Sequence, residues 1–92
     1  MREIEFTSRF KKEYKRVKKN PDHKNLEGIL KEVISKLQND ERLSSNFQSH
    51  KLRGNYNKFE ECHLKPDLLL IYLRVDNKLK LIRIGSHSEL FK

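Results

Sequence analysis

Cysteine is almost missing from this chain: Cys62 is the single one in 92 residues, so no internal disulfide can staple the fold. Long apolar runs are missing too, and none approaches the roughly 18 residues needed to cross a bilayer. Met1-Arg2-Glu3-Ile4 leads straight into patterned sequence rather than into the charged and apolar regions of a signal peptide. No repeat, low-complexity segment or linker interrupts the chain. These absences predict one soluble, cytoplasmic domain spanning residues 1–92, with no membrane partner.

Acidic residues are also short. Thirteen Asp and Glu face 21 Lys and Arg, a net charge of +8, and such a field attracts polyanions. Nucleic acid or an acidic protein fits better than a membrane face, because the apolar side of the first predicted helix is too thin to embed.

Glu3 to Thr7 alternates, with Ile4 and Phe6 on one side, and predicts a strand. Ser8 is placed to cap a helix whose apolar positions are Phe10, Tyr14 and Val17. Its other face carries Lys11, Lys12, Lys15, Arg16, Lys18 and Lys19, which suits a solvated surface as well as one for phosphates or an acidic partner. Asn20-Pro21 ends that helix. Leu26, Ile29, Leu30, Val33, Ile34 and Leu37 then form an apolar stripe of helical period. His23, between the helices, reads as a surface residue.

From Asn39 to Asn57 the periodicity dissolves into a long loop holding His50, with Leu43, Phe47 and Leu52 as anchors. Phe59–Lys65, Leu68–Val75 and Lys78–Ile84 come next as strands, the last two joined by the turn Asp76-Asn77. The expected fold is therefore α+β: an N-terminal strand and a helical hairpin packed on one face of an antiparallel-rich four-stranded sheet.

His50, His63 and His87 come from three segments able to converge. Alternation puts Phe59, Glu61 and His63 on one strand face, and puts Arg83 and His87 on one face of the last strand. Each histidine alone suits a structural role. Three of them beside an arginine in a basic protein match what RNA cleavage requires, because the 2′-hydroxyl is a nucleophile already next to the scissile phosphate. That route needs a base, an acid and positive charge on the transition state. Imidazole, with an unperturbed pKa of about 6.5, serves as either proton carrier. The guanidinium fork of Arg83 suits phosphate.

Zinc is the rival for these ligands. Cys62 and His63 are adjacent, so on a strand they point to opposite faces, and no paired ligand spacing is present; no metal or cofactor is expected. Cys62 reads instead as a buried apolar residue facing the helices. Gly85-Ser86-His87-Ser88 lacks the G-x-S-x-G pattern of a serine hydrolase, and its glycine reads as a strand-end turn.

Three blocks carry a wider resemblance: His50-Lys51-Leu52-Arg53-Gly54, Glu61 through Tyr72, and Arg83-Ile84-Gly85-Ser86-His87-Ser88-Glu89-Leu90-Phe91. Their order and gaps closely resemble the YafQ-like branch of the RelE/ParE toxin superfamily, and the element order is RelE-like throughout. The resemblance implies a type II toxin, a metal-independent endoribonuclease that cleaves mRNA in the ribosomal A site and is silenced by an acidic, DinJ-like antitoxin.

By position, the resemblance assigns the active-site set to His50, His63, Asp67, Arg83, His87 and Phe91. His87 would be the general acid, Arg83 the phosphate stabiliser and Phe91 a platform for a base. His50, His63 and Asp67 would position the RNA, one of the two histidines taking the 2′ proton. Plainer readings stand beside two of these: Asp67 as a turn residue after Pro66, and Phe91 as a core plug.

This chain departs from the family's pattern in having Glu60 where arginine is usual. Alternation sets residue 60 on the face opposite His63, unless a bulge intervenes. Two other functions share features with this reading. One is a non-catalytic ParE-like toxin, which would lack the histidine set. The other is a basic nucleic-acid-binding module, which would bind without cutting.

Overall fold

The computed structural model describes residues 1–52 and 58–91; Arg53, Gly54 and Asn57, named above from the sequence, lie outside the described residues. The elements are β1 (Glu3–Phe6), α1 (Ser8–Lys18), α2 (Leu26–Gln38), β2 (His50–Lys51), β3 (Glu60–Lys65), β4 (Leu68–Val75), β5 (Lys78–Gly85) and α3 (His87–Leu90). Short 3₁₀ turns at Pro21–His23 and Ser45–Phe47 lie in the connections.

The strands form one sheet in the order β1-β5-β4-β3-β2. Only β1 pairs in parallel, with β5; the other pairings are antiparallel. The expected architecture is therefore present with one strand more than the sequence indicated. The extra strand, β2, is two residues long and sits inside the predicted loop, too short to show a period of its own.

Alternation on β3 and β4 separates two apolar clusters. Cys62, Leu64, Leu68, Leu70 and Tyr72 join Phe10, Val17 and the α2 stripe on the helix side. Leu69 and Ile71 face the other way, where Leu90, Leu52, Phe59 and Ile82 pack on them. Leu43 and Phe47 are buried in the larger cluster, as anchors of the connection should be.

Several local details differ from expectation. Thr7, not Ser8, caps α1: its hydroxyl accepts from the Phe10 N–H at 2.9 Å while donating to the Ile82 carbonyl at 2.8 Å. The cap thus also fastens the helix to β5. His23 is half-buried rather than on the surface. Asp76 in the β4–β5 turn does take a positive φ of 53°.

The β4–β5 register slips between Ile71 and Tyr72, which pair with Arg83 and Leu81, so Ile82 is an inserted residue. That insertion lets Leu81 and Ile84 both face the helices while Arg83 faces the smaller cluster.

Candidate active site

β3 and β4 are joined by the Pro66-Asp67 turn, which carries Asp67 toward the start of α3. Strand β5 ends at Gly85, and Ser86 caps α3 through a capping box with Glu89. His87 is therefore the first residue of a helical turn, not a continuation of the strand; the expected shared strand face with Arg83 is replaced by a turn of the chain. The Ser-x-x-Glu spacing that causes this is visible in the sequence.

The strand end brings His87 to two partners. Its ring lies 5.5 Å from that of His63, centroid to centroid. The Asp67 carboxylate takes hydrogen bonds from the His87 backbone N–H at 3.2 Å and from its Nδ1 at 3.1 Å. That pair holds the Asp67 carboxyl below its ordinary value of 3.8, so it remains an ionised acceptor at neutral pH. A carboxylate can only accept, so Nδ1 carries the hydrogen and Nε2 is presented outward. Asp67 is thus a turn residue and a partner of His87 at once.

His50 stands across from Glu61 in the β2–β3 pairing. Its Nε2 is 2.8 Å from Glu61 Oε1, and its Nδ1 is 3.1 Å from the Lys51 carbonyl oxygen. Glu61 is buried, and its second oxygen has no hydrogen-bond partner among the described residues. The sequence placed Glu61 on the His63 face without giving it a role; its pairing with His50 depends on β2. The Nδ1 of His63 is likewise buried and unbonded among the described residues.

Arg83 lines a shallow depression of about 240 Å³ with Phe91, Ile71, Ile82, Phe59 and Arg9. Phe91 is 47% exposed and is therefore not a core plug. His50, Glu61, His63, Arg83 and Phe91 thus border the sheet face away from α1 and α2. Rather than standing free, the Arg83 guanidinium is held by Glu13 of α1, Nη2 to Oε2 at 2.6 Å and Nε to Oε2 at 3.1 Å. Sequence reading gave Glu13 no part.

Cys62 faces the helix-side core, fully buried, its thiol pushed up to about 12 by burial first and then by Glu61 and Glu60. It points away from His63, leaving the two on opposite faces as alternation requires. Gly85 does not turn the backbone through a positive φ; a Cβ there would meet Glu89 Oε1 at 3.2 Å and a Leu90 methyl at 3.3 Å. Its smallness lets α3 close on the strand end.

Residues 2–92 match the family described as the bacterial toxin of type II toxin-antitoxin systems, YafQ. The chain belongs to the YafQ toxin family. The mRNA interferase toxin YafQ of Escherichia coli K12 is 29% identical over 90 residues, covering 98% of this chain and 96% of that protein.

The toxin in an E. coli DinJ-YafQ complex is 31% identical, covers both chains fully and superposes with a TM-score of 0.86. A metal-bound toxin from Helicobacter pylori is 42% identical, with a TM-score of 0.87 over 99% of this chain and 100% of its own. The paired imidazoles of His63 and His87, with His50 held separately against Glu61, stand on the fold of a YafQ-family toxin, the α+β architecture the sequence suggested.

Proposed function

We propose that this YafQ-family toxin is an endoribonuclease that cuts mRNA in the ribosomal A site, by attack of a 2′-hydroxyl on the neighbouring phosphate and without a metal. The observation that carries the reading is the His63–His87 pair, two imidazoles 5.5 Å apart with one of them oriented by Asp67. That spacing suits one proton carrier on the ribose side and one on the leaving-group side. The E. coli relative's name as an mRNA interferase supports the reaction class.

His87 presents Nε2 and serves as the general acid to the 5′ oxygen. Between the two candidates for the base, His63 is favoured, because both nitrogens of His50 face acceptors, Glu61 and the Lys51 carbonyl. His50 and Asp67 then position the RNA and the acid. Arg83 offers positive charge to the phosphate, and the half-exposed Phe91 offers a face on which a base stacks. The partner that silences the toxin is an acidic, DinJ-like antitoxin, supported by the E. coli DinJ-YafQ complexes and by the +8 charge here.

The test is expression of wild type and His87→Ala with transcriptome-wide mapping of mRNA 5′ ends. Wild type should arrest growth and leave new ends in frame with codons. His87→Ala should lose roughly 10²- to 10⁴-fold in cleavage. In a reconstituted translation system, cutting should persist in EDTA. Arrest by both proteins with no new ends would show instead a toxin that acts by binding.

A further inference from the structure

Buried carboxylates are expensive unless they are well partnered. Glu13 is 9% exposed and sits in the apolar stripe of α1, between Phe10 and Val17. Two groups on β5 account for it. One is the Ile84 N–H, which donates to Oε1 at 3.2 Å. β1 ends its pairing at Phe6 with Leu81, so β5 beyond that point has no neighbouring strand on this side. Glu13 accepts there in place of one.

The other group is Arg83, and its geometry is selective. Glu13 takes the side edge of the guanidinium, Nε and Nη2. A guanidinium has five N–H groups in a fixed plane. The end edge, formed by Nη1 and the second hydrogen of Nη2, is not engaged by Glu13, and Arg83 is one of the residues lining the depression beside Phe91. Arg9, whose Nε is 3.9 Å from Glu13 Oε2, is the only other cation near the carboxylate among the described residues.

We infer that Glu13 is a positioning residue for RNA cleavage: it fixes the guanidinium plane of Arg83 so that the end edge meets the scissile phosphate. The inference rests on the phosphate role of Arg83 proposed above. An arginine side chain left loose would have to be ordered in each turnover, whereas one already clamped acts as preorganised charge. Arg83 is only 19% exposed, consistent with a side chain held in place rather than free in solvent.

The test compares Glu13→Gln, Glu13→Asp, Arg83→Ala and the Glu13→Gln/Arg83→Ala double variant. Each is assayed for cleavage of a defined mRNA on programmed ribosomes, at saturating and limiting ribosome concentrations and at a temperature where circular dichroism shows all four folded. Arg83→Ala should lose roughly 10²-fold or more, the scale for one donor to a developing charge. Glu13→Gln should lower kcat by roughly 10- to 100-fold with KM little changed, the signature of a group that acts in the transition state. Glu13→Asp should recover part of it, and the double variant should be no slower than Arg83→Ala.

The Arg83 Nε–H resonance, protected in wild type, should exchange faster in Glu13→Gln. Reduced melting temperature with unchanged kcat would reduce Glu13 to a sheet-edge partner and overturn the inference. So would a rise in kcat, or a double variant slower than Arg83→Ala. Full activity of Arg83→Ala would remove the phosphate role itself, an outcome that is read from that variant alone and so is distinct from failure at Glu13.

Discussion

Glu60 stands where the resemblance to the family implies arginine, and its surroundings set the size of the effect. β3 has no register shift between residues 60 and 63; the shift falls between His63 and Lys65. Glu60 pairs across from Tyr72, whose ring is in the helix-side core, and so points away from the imidazoles. There it accepts from Arg74 at 2.9 Å and 2.7 Å in a bidentate pair, and this bond is the first cause of the raised pKa of Arg74.

Charge-assisted hydrogen bonds contribute about 1.5–3 kcal/mol each when removed. Here the loss is discounted, because the Arg74 side chain is 29% exposed and keeps Asp40 at 3.6 Å. Glu60→Ala should therefore cost about 1–2 kcal/mol, a fall in melting temperature of about 4–16 °C for a domain of this size. Glu60→Arg, which installs the residue that the resemblance implies, sets two guanidinium groups together and should fall further. Neither should change the rate of mRNA cleavage more than about twofold, within the scatter of a stability-only effect. Calorimetry and the cleavage assay on the same preparations decide it. If Glu60→Arg cuts RNA faster and melts no lower, residue 60 reaches the substrate, and the assignment of faces on β3 is wrong.

Other outcomes depend on single contacts. With its thiol near 12, Cys62 has a thiolate fraction of about 10⁻⁴ at pH 8, so iodoacetamide should modify it only after the fold is opened by denaturant. Gly85→Ala should cost about 1–3 kcal/mol, because Glu89 is tied to Ser86 and Arg16 and cannot easily give way; cleavage should fall with it as the turn carrying His87 shifts. Asp67 titrates below 3.8 in the folded state, so its contact with His87 contributes above that range and is lost only as pH falls through the lowered value. Carboxyl NMR should place the midpoint below 3.8, and Asp67→Asn should abolish that titration while slowing cleavage at neutral pH.

Much of this was legible where a period was long enough to read. The α2 stripe emerged as a buried helix, and β4 as a strand apolar on both sides, because Leu69 and Ile71 serve one cluster while Leu68, Leu70 and Tyr72 serve the other. Alternation separated Glu60 and Cys62 from His63 correctly. Features fixed by a single residue escaped. β2 is too short to alternate, so the His50–Glu61 pair could not be foreseen. One inserted residue, Ile82, sets the phase of Arg83. Glu13 did leave a trace, a charge within an apolar stripe, which marks a buried partner to be found.

The two faces of the sheet carry different burdens, and this explains how so small a protein can expose a polar site. Nearly all the fully buried side chains lie on the helix side, where a leucine contributes about 1.5–3 kcal/mol by burial. Of the apolar side chains described on the opposite face, only Leu69, Ile71 and Leu90 are buried, with Leu52, Phe59 and Ile82 partly covered. Most of the apolar burial thus lies on the helix side, and the His63 and His87 imidazoles stand on the face with the smaller apolar cluster. Truncating a helix-side leucine such as Leu70 should lower stability by about 2–5 kcal/mol, a large share of what a domain of this size has. Truncating His63, half-buried with one ring nitrogen unbonded, should leave the melting temperature nearly unchanged while removing cleavage. Glu13 and Arg16 cross between these regions: one end of each is on α1, the other holds Arg83 or the turn that carries His87. Through them the geometry of the site is set by the stable side of the fold.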